Sequence, residues 1–96
     1  LALLFAITCY DEPGRSEVSR ANRPAHLTFA ASHTTTLGGP LLDELGQPCG
    51  SLLVIDTPDR AAAEAFGAGD PYGLAGLFDR LTIHEYRAVF KDGQPM

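Results

Sequence analysis

Ser51-Leu52-Leu53-Val54-Ile55-Asp56 runs directly into Thr57-Pro58-Asp59, and this junction decides the fold. The run is apolar in both phases of a two-residue alternation, Leu53 and Ile55 against Leu52 and Val54. That is the pattern of a strand with both faces covered. The triplet after it is a helix opening: a hydroxyl to cap, a proline for the first position, an acid for the first turn. An alanine-rich stretch carries this helix to Phe66, with Gly67 as its expected stop.

Upstream, residues 41–50 read as a hairpin connection, with Asp43-Glu44 and Gly46-Gln47-Pro48 at its tip. The β-branched run Thr34-Thr35-Thr36 with Leu37 suits a strand that ends at Gly38-Gly39-Pro40. Before it lies a helix. Asn22 is placed to cap it, Pro24 suits its first turn, and Leu27, Ala30 and Ala31 form an apolar stripe. A start near Ser16, with Pro24 bending a longer helix, is the alternative. Residues 1–10 are the first strand, Leu3, Phe5, Ile7 and Cys9 on one face and Ala2, Leu4 and Ala6 on the other, closed by the turn signal Asp11-Glu12-Pro13-Gly14.

Downstream, Asp70-Pro71 restarts a short helix expected to reach Phe78, residues 81–90 form the last strand, and residues 91–96 read as a tail. The order is βαββαβ. Its simplest closure is an α+β, ferredoxin-like domain: a four-stranded antiparallel sheet with helices on one face. Helices on one face cannot cover strands that are apolar on two. A second subunit is the expected cover.

Length and composition agree with one domain. A chain of 96 residues, 45% hydrophobic and 20% charged, has one core and no internal boundary. The net charge of -5, with Lys91 the one lysine beside six scattered arginines, argues against a nucleic-acid partner. No stretch has the roughly 18 apolar residues that a membrane span needs. The apolar opening lacks a basic leader and a cleavage site, so a strand is the better reading than a secretion signal. The chain opens on Leu1, not Met, which leaves the native N-terminus open. Cys9 and Cys49 make neither a disulfide framework nor a metal spacing, and reduced thiols in a cytoplasmic protein are expected.

Chemistry then rests on few residues. His26, in the first turn of the helix capped by Asn22, would feel the dipole's positive end, which disfavours imidazolium and leaves a proton acceptor. The alternative is a partly buried histidine bonded to a backbone carbonyl. His33 shares its helical face, but two turns, roughly 10 Å, separate the pair, and no third ligand is evident, so a metal is not expected. His84 reads as structural. Asp70 before Pro71 is a cap, and a carboxylate that accepts from backbone amides can still orient an imidazole. Ser51 lacks a G-x-S-x-G elbow, and Gly38-Gly39 precedes proline, not a helix, so neither acyl-enzyme chemistry nor a phosphate cradle is indicated.

Several segments resemble the YciI-like family: Arg23-Pro24-Ala25-His26-Leu27, Gly39-Pro40-Leu41, Gly50-Ser51-Leu52-Leu53, Asp70-Pro71-Tyr72 and Ala75-Gly76-Leu77-Phe78. They fall in order across about residues 3–90. The resemblance implies a dimeric α+β barrel, in which two ferredoxin-like protomers pack sheet to sheet. It also implies a cleft where His26 and Asp70 lie close together, with Arg23, Ser51 and Tyr72 as candidate ligand contacts. Thr34-Thr35-Thr36 and the link after Asp11 depart from the family's usual pattern, at the cleft rim.

The reading is an acid–base site for a small molecule, dehydrochlorinase-like members of the family being the motive, with no cofactor and a homodimer. A non-catalytic binding or accessory module is the alternative, and a purely structural dimerisation unit a third.

Overall fold

The computed structural model describes residues 3–31 and 35–96. Strand β1 (Leu3–Asp11), helix α1 (Ser16–Ala31), strands β2 (Thr35–Leu42) and β3 (Pro48–Thr57), helices α2 (Arg60–Gly69) and α3 (Pro71–Leu74) and strand β4 (Phe78–Tyr86) follow one another. The four strands form one sheet in the order β2-β3-β1-β4, every neighbouring pair antiparallel. This is the expected ferredoxin-like α+β fold.

The core lies between the sheet and the helices. Phe5, Ile7 and Cys9 of β1 and Leu53 and Ile55 of β3 meet Ala63 and Phe66 of α2, with Phe29 of α1, Phe78 and Ile83 packed around them. Register makes this one face: Phe5 pairs with Ile55, Ile7 with Leu53 and Cys9 with Ser51. The opposite phase, Leu4, Ala6 and Thr8 with Leu52 and Val54, forms the other face, outside the helix-packed core, with Val54 buried and Leu52 half-buried. Both faces of β1 and β3 are therefore apolar, as read.

Several expected boundaries move. Helix α1 begins at Ser16, the alternative start, and not at Asn22, with Pro24 inside it. Asn22 does not cap; its Nδ2 donates to Val18 O at 2.9 Å within the helix. Proline suits a first turn, but tertiary packing tolerates it mid-helix at the loss of one backbone hydrogen bond. The second helix is capped by Asp59, whose Oδ1 accepts from Ala62 N at 2.9 Å, while the Thr57 hydroxyl donates to Asp59 O at 3.0 Å. It continues past Gly67 to Gly69, because Gly67 is buried against the sheet near Ile83 and Leu81.

Helix α3 stops at Leu74, ahead of Gly76 in the left-handed region at φ 77. That frees Phe78 to start β4 opposite Asp11, so the strand spans Phe78–Tyr86 and not residues 81–90. The expected tail is a small hairpin, β5 (Phe90–Lys91) against β6 (Gln94–Pro95). Asp92 and Gly93, both at positive φ, make the two-residue turn that Asp-Gly favours. His33 and Thr34 lie outside the described residues.

Candidate active site

Four residues of α1 share one helical stripe: Ser19, Arg23, His26 and Ala30, spaced four, three and four apart. All four line a cavity of about 310 Å³ between α1 and the β2-β3-β1 side of the sheet. Asp11, Thr35, Gly38, Pro40, Ser51 and Tyr72 complete much of its wall. The volume falls at the lower end of ordinary ligand pockets, roughly 300–1,000 Å³.

His26 belongs to the third turn of α1, the eleventh residue of sixteen. The first-turn dipole expectation therefore fails, and the environment of the ring is set by side chains. Its Nδ1 lies 2.8 Å from Asp70 Oδ1 and 3.1 Å from Oδ2. Both groups are buried, His26 at 6% and Asp70 at 2% exposure. A carboxylate accepts here, so the proton between the two lies on Nδ1, and in the neutral tautomer that this favours Nε2 is the acceptor.

Asp70 is held by its own helix end. As the N-cap of α3 it accepts from Tyr72 N at 2.9 Å through the same Oδ1 that meets His26. Capping and orienting thus coexist in one carboxylate. Pro71 at the first helical position suits the turn. Tyr72 then stacks on the imidazole, ring centroids 4.0 Å apart and planes 15° from parallel. Phe78 meets the outer side of Tyr72 edge-on at 6.1 Å. The imidazole is clamped by a hydrogen bond on one edge and a ring on one face.

Ser51 is 5% exposed, lines the cavity, and its Oγ has no hydrogen-bond partner. Its cross-strand neighbour is Cys9, a thiol that burial pushes up to about 12, opposed by the Ser51 hydroxyl beside it. Gly50, next in the chain, is required by packing: a methyl there would strike the carbonyl oxygen of Cys9.

All five candidate residues thus converge, four on the cavity wall and Asp70 directly behind His26. Two residues that sequence reading did not single out join them. Asp11 extends the row Phe5, Ile7, Cys9 by one more alternate position, and Ser19 extends the α1 stripe by one turn. The same periodicities that located the core reach both. Burial raises the Asp11 carboxyl above its ordinary value, opposed by charge on His26. No cluster of three or more potential metal-binding side chains occurs among the described residues.

A βαββαβ sheet with a buried histidine–aspartate pair beside a cavity of about 310 Å³ defines a ferredoxin-like domain of the dimeric α+β barrel superfamily. The chain belongs to the YCII-related domain family, whose model matches residues 3–87. Among solved structures it is similar to 5-chloro-2-hydroxyhydroquinone dehydrochlorinase (TftG) from Burkholderia phenoliruptrix AC1100, in complex with 2,5-dihydroxybenzoquinone. The two are 27% identical with a TM-score of 0.82, over 88% of this chain and 94% of that one. An antibiotic biosynthesis monooxygenase shares the fold at 16% identity and TM-score 0.55, over 91% and 98% of the two chains. So does a conserved protein from Methanosarcina mazei Go1, at 13% identity and TM-score 0.54, over 91% and 92%. No curated protein matches the chain.

Proposed function

We propose that the cavity is an acid–base active site for a small hydroxylated ring compound. The observation that carries this reading is the buried Asp70–His26 pair, whose second ring nitrogen is left for a ligand in a cavity the imidazole lines. His26 takes the proton of a ligand hydroxyl on Nε2. Asp70, already bonded to Nδ1, holds the tautomer and stabilises the imidazolium that forms, a division of labour familiar from histidine–carboxylate pairs. Asp70 acts through His26 as a positioning residue. Tyr72 fixes the ring plane, and Arg23 and Ser51 offer hydrogen bonds to ligand oxygens.

The similar TftG structure supports the substrate class, because that protein is a 5-chloro-2-hydroxyhydroquinone dehydrochlorinase in complex with 2,5-dihydroxybenzoquinone. Proton transfer of this kind requires no cofactor. A second copy of the chain would cover the open sheet face, and two cysteines free of disulfide bonding suit the cytoplasm. No helix among the described residues is long and apolar enough to cross a membrane.

The test is chloride release from a chlorinated hydroxyhydroquinone. The wild type should release chloride catalytically, and His26→Ala should lower kcat by about 10²–10⁴-fold while the circular-dichroism spectrum is kept. Turnover by His26→Ala at the wild-type rate would remove the acid–base role. Saturable ring binding with no product from any of the rings offered would favour a binding module.

A further inference from the structure

Among the described residues, Asp11 is the one carboxylate in the cavity wall. It also lines an adjoining polar cavity of about 510 Å³, together with Arg15, Arg20 and Arg23. Three guanidinium groups border that space, yet the Asp11 side chain makes no hydrogen bond or ion pair among the described residues. Arg15 turns to Glu12 at 3.7 Å and Arg20 to Glu17 at 2.5 Å. A half-buried carboxylate with no hydrogen bond or ion pair loses hydration that only the electrostatic pull of His26 offsets, which is costly unless an arriving group supplies a bond.

Position says what kind of group arrives. The alternation of β1 puts Asp11 on the helix-covered side of the sheet, beyond Cys9, where it and His26 border one space and interact electrostatically. Both offer acceptors: Nε2 on the imidazole, two oxygens on the carboxylate. Asp11 and Arg23, of opposite charge, line the same wall, so the wall carries no net charge from this pair for a charged ligand to answer. A neutral molecule with two O–H donors satisfies both acceptors and offends neither charge.

We infer that Asp11 is a specificity-determining residue that accepts a hydrogen bond from a second ligand hydroxyl, so that the site selects neutral rings carrying at least two hydroxyl groups over rings carrying one. This inference rests on the acid–base reading above and adds to it the residue that counts hydroxyls.

The experiment is calorimetric titration, without oxygen and at pH 7, of phenol, catechol, resorcinol and hydroquinone into the wild type, Asp11→Asn and Asp11→Ala. The best dihydroxybenzene should bind the wild type about tenfold tighter than phenol, the worth of one charge-assisted hydrogen bond. In Asp11→Ala that advantage should fall to about twofold or less, with phenol affinity unchanged. Asp11→Asn, which keeps a carbonyl acceptor, should retain part of it. An advantage that survives in Asp11→Ala overturns the inference and leaves the acid–base reading standing. A phenol affinity that falls as far as the dihydroxybenzene affinity also overturns it, since the role would then be structural. Failure of the folded wild type to bind any of these rings removes the parent reading, and this inference with it. If Asp11→Ala does not unfold cooperatively, the same comparison is made on Asp11→Asn, where an undiminished advantage for the second hydroxyl counts against the inference.

Discussion

One oxygen of Asp70 serves two ends of the fold at once, closing the α3 cap on Tyr72 N at 2.9 Å and receiving His26 Nδ1 at 2.8 Å across 44 positions of sequence. Removing it should therefore cost twice. Asp70→Ala loses a helix cap and leaves a buried imidazole nitrogen unpaired, together about 2–4 kcal/mol of stability. Asp70→Asn keeps an acceptor for Tyr72 N and should fold nearly as well. It no longer fixes the imidazole tautomer, so kcat for chloride release should fall by about 10²–10⁴-fold. Urea unfolding and steady-state kinetics on the two variants separate the effects. Equal stability loss in both would mean that the charge, not the hydrogen-bond geometry, holds the cap.

Tyr72 gives a second separation, between a ring that packs and a hydroxyl that binds. Its ring lies 4.0 Å from that of His26 and is backed by Phe78. Tyr72→Phe preserves both contacts and should unfold within about 1 kcal/mol of the wild type, an isosteric change in a packed core. Tyr72→Ala opens a void beside the imidazole and should cost about 3–5 kcal/mol, as large aromatic truncations do. An effect of Tyr72→Phe on KM alone would assign the hydroxyl to ligand binding.

The order of elements and the two-faced centre of the sheet were legible in the chain, because alternation and helical spacing are local, whereas the meeting of His26 with Asp70 was legible only through the family-like segments. What escaped was non-local. Pro24 has the local signature of a first turn, so the sequence left two starts for α1 open, and the helix takes the one at Ser16. The His26 dipole argument fell with that boundary. Asp92-Gly93 carries a hairpin signal, but its short flanks disguised it as a tail. Asp11 was read as part of a turn because its acidity hid its place in the alternation of β1.

The Asp11 carboxyl makes stability depend on pH in a defined direction. Burial raises its pKa in the folded chain, with charge on His26 opposing. The folded state then holds that proton more tightly than the unfolded state. Stability from this group is full below the ordinary carboxylate value and is lost as pH climbs through the raised one. At pH 7 the ionised Asp11 is a net cost. Asp11→Asn should accordingly melt at a higher temperature than the wild type at pH 7, and the difference should shrink toward zero in acid below the ordinary carboxylate range. A lower melting temperature for Asp11→Asn at pH 7 would show that the carboxylate has a stabilising partner.

The two cysteines should differ in reactivity. Cys9 is buried in the core, and desolvation pushes its thiol up to about 12, helped by the charges of Asp70 and Asp11. Almost no thiolate exists there at pH 8, and the thiolate is the nucleophile. Cys49 is exposed. Iodoacetamide should therefore add one label to the native chain and two in denaturant, read by intact mass. Cys49→Ser should take up none while folded, and a label on that native variant would show that the core opens on the reagent's timescale.

The open face of the sheet supplies the last test. By register Leu4 and Ala6 on β1, Leu52 and Val54 on β3, Leu37 on β2 and Tyr86 on β4 point away from the helices. Leu37 and Tyr86 are exposed, and so is His84 in the row beside Tyr86. A face this apolar in water favours association, and a stable pair buries about 800 Å² on each partner. Light scattering should therefore give the wild type twice the mass of its 10.2 kDa chain. Leu52 stands at the middle of this face on a central strand, half-buried, with its side chain outside the helix-packed core. Leu52→Lys should leave that core intact yet bury two ammonium groups in a paired sheet face, a cost a pair does not recover without partners. The variant should run as a 10.2 kDa monomer with wild-type circular dichroism. A Leu52→Lys chain that stays paired would place the contact on another surface.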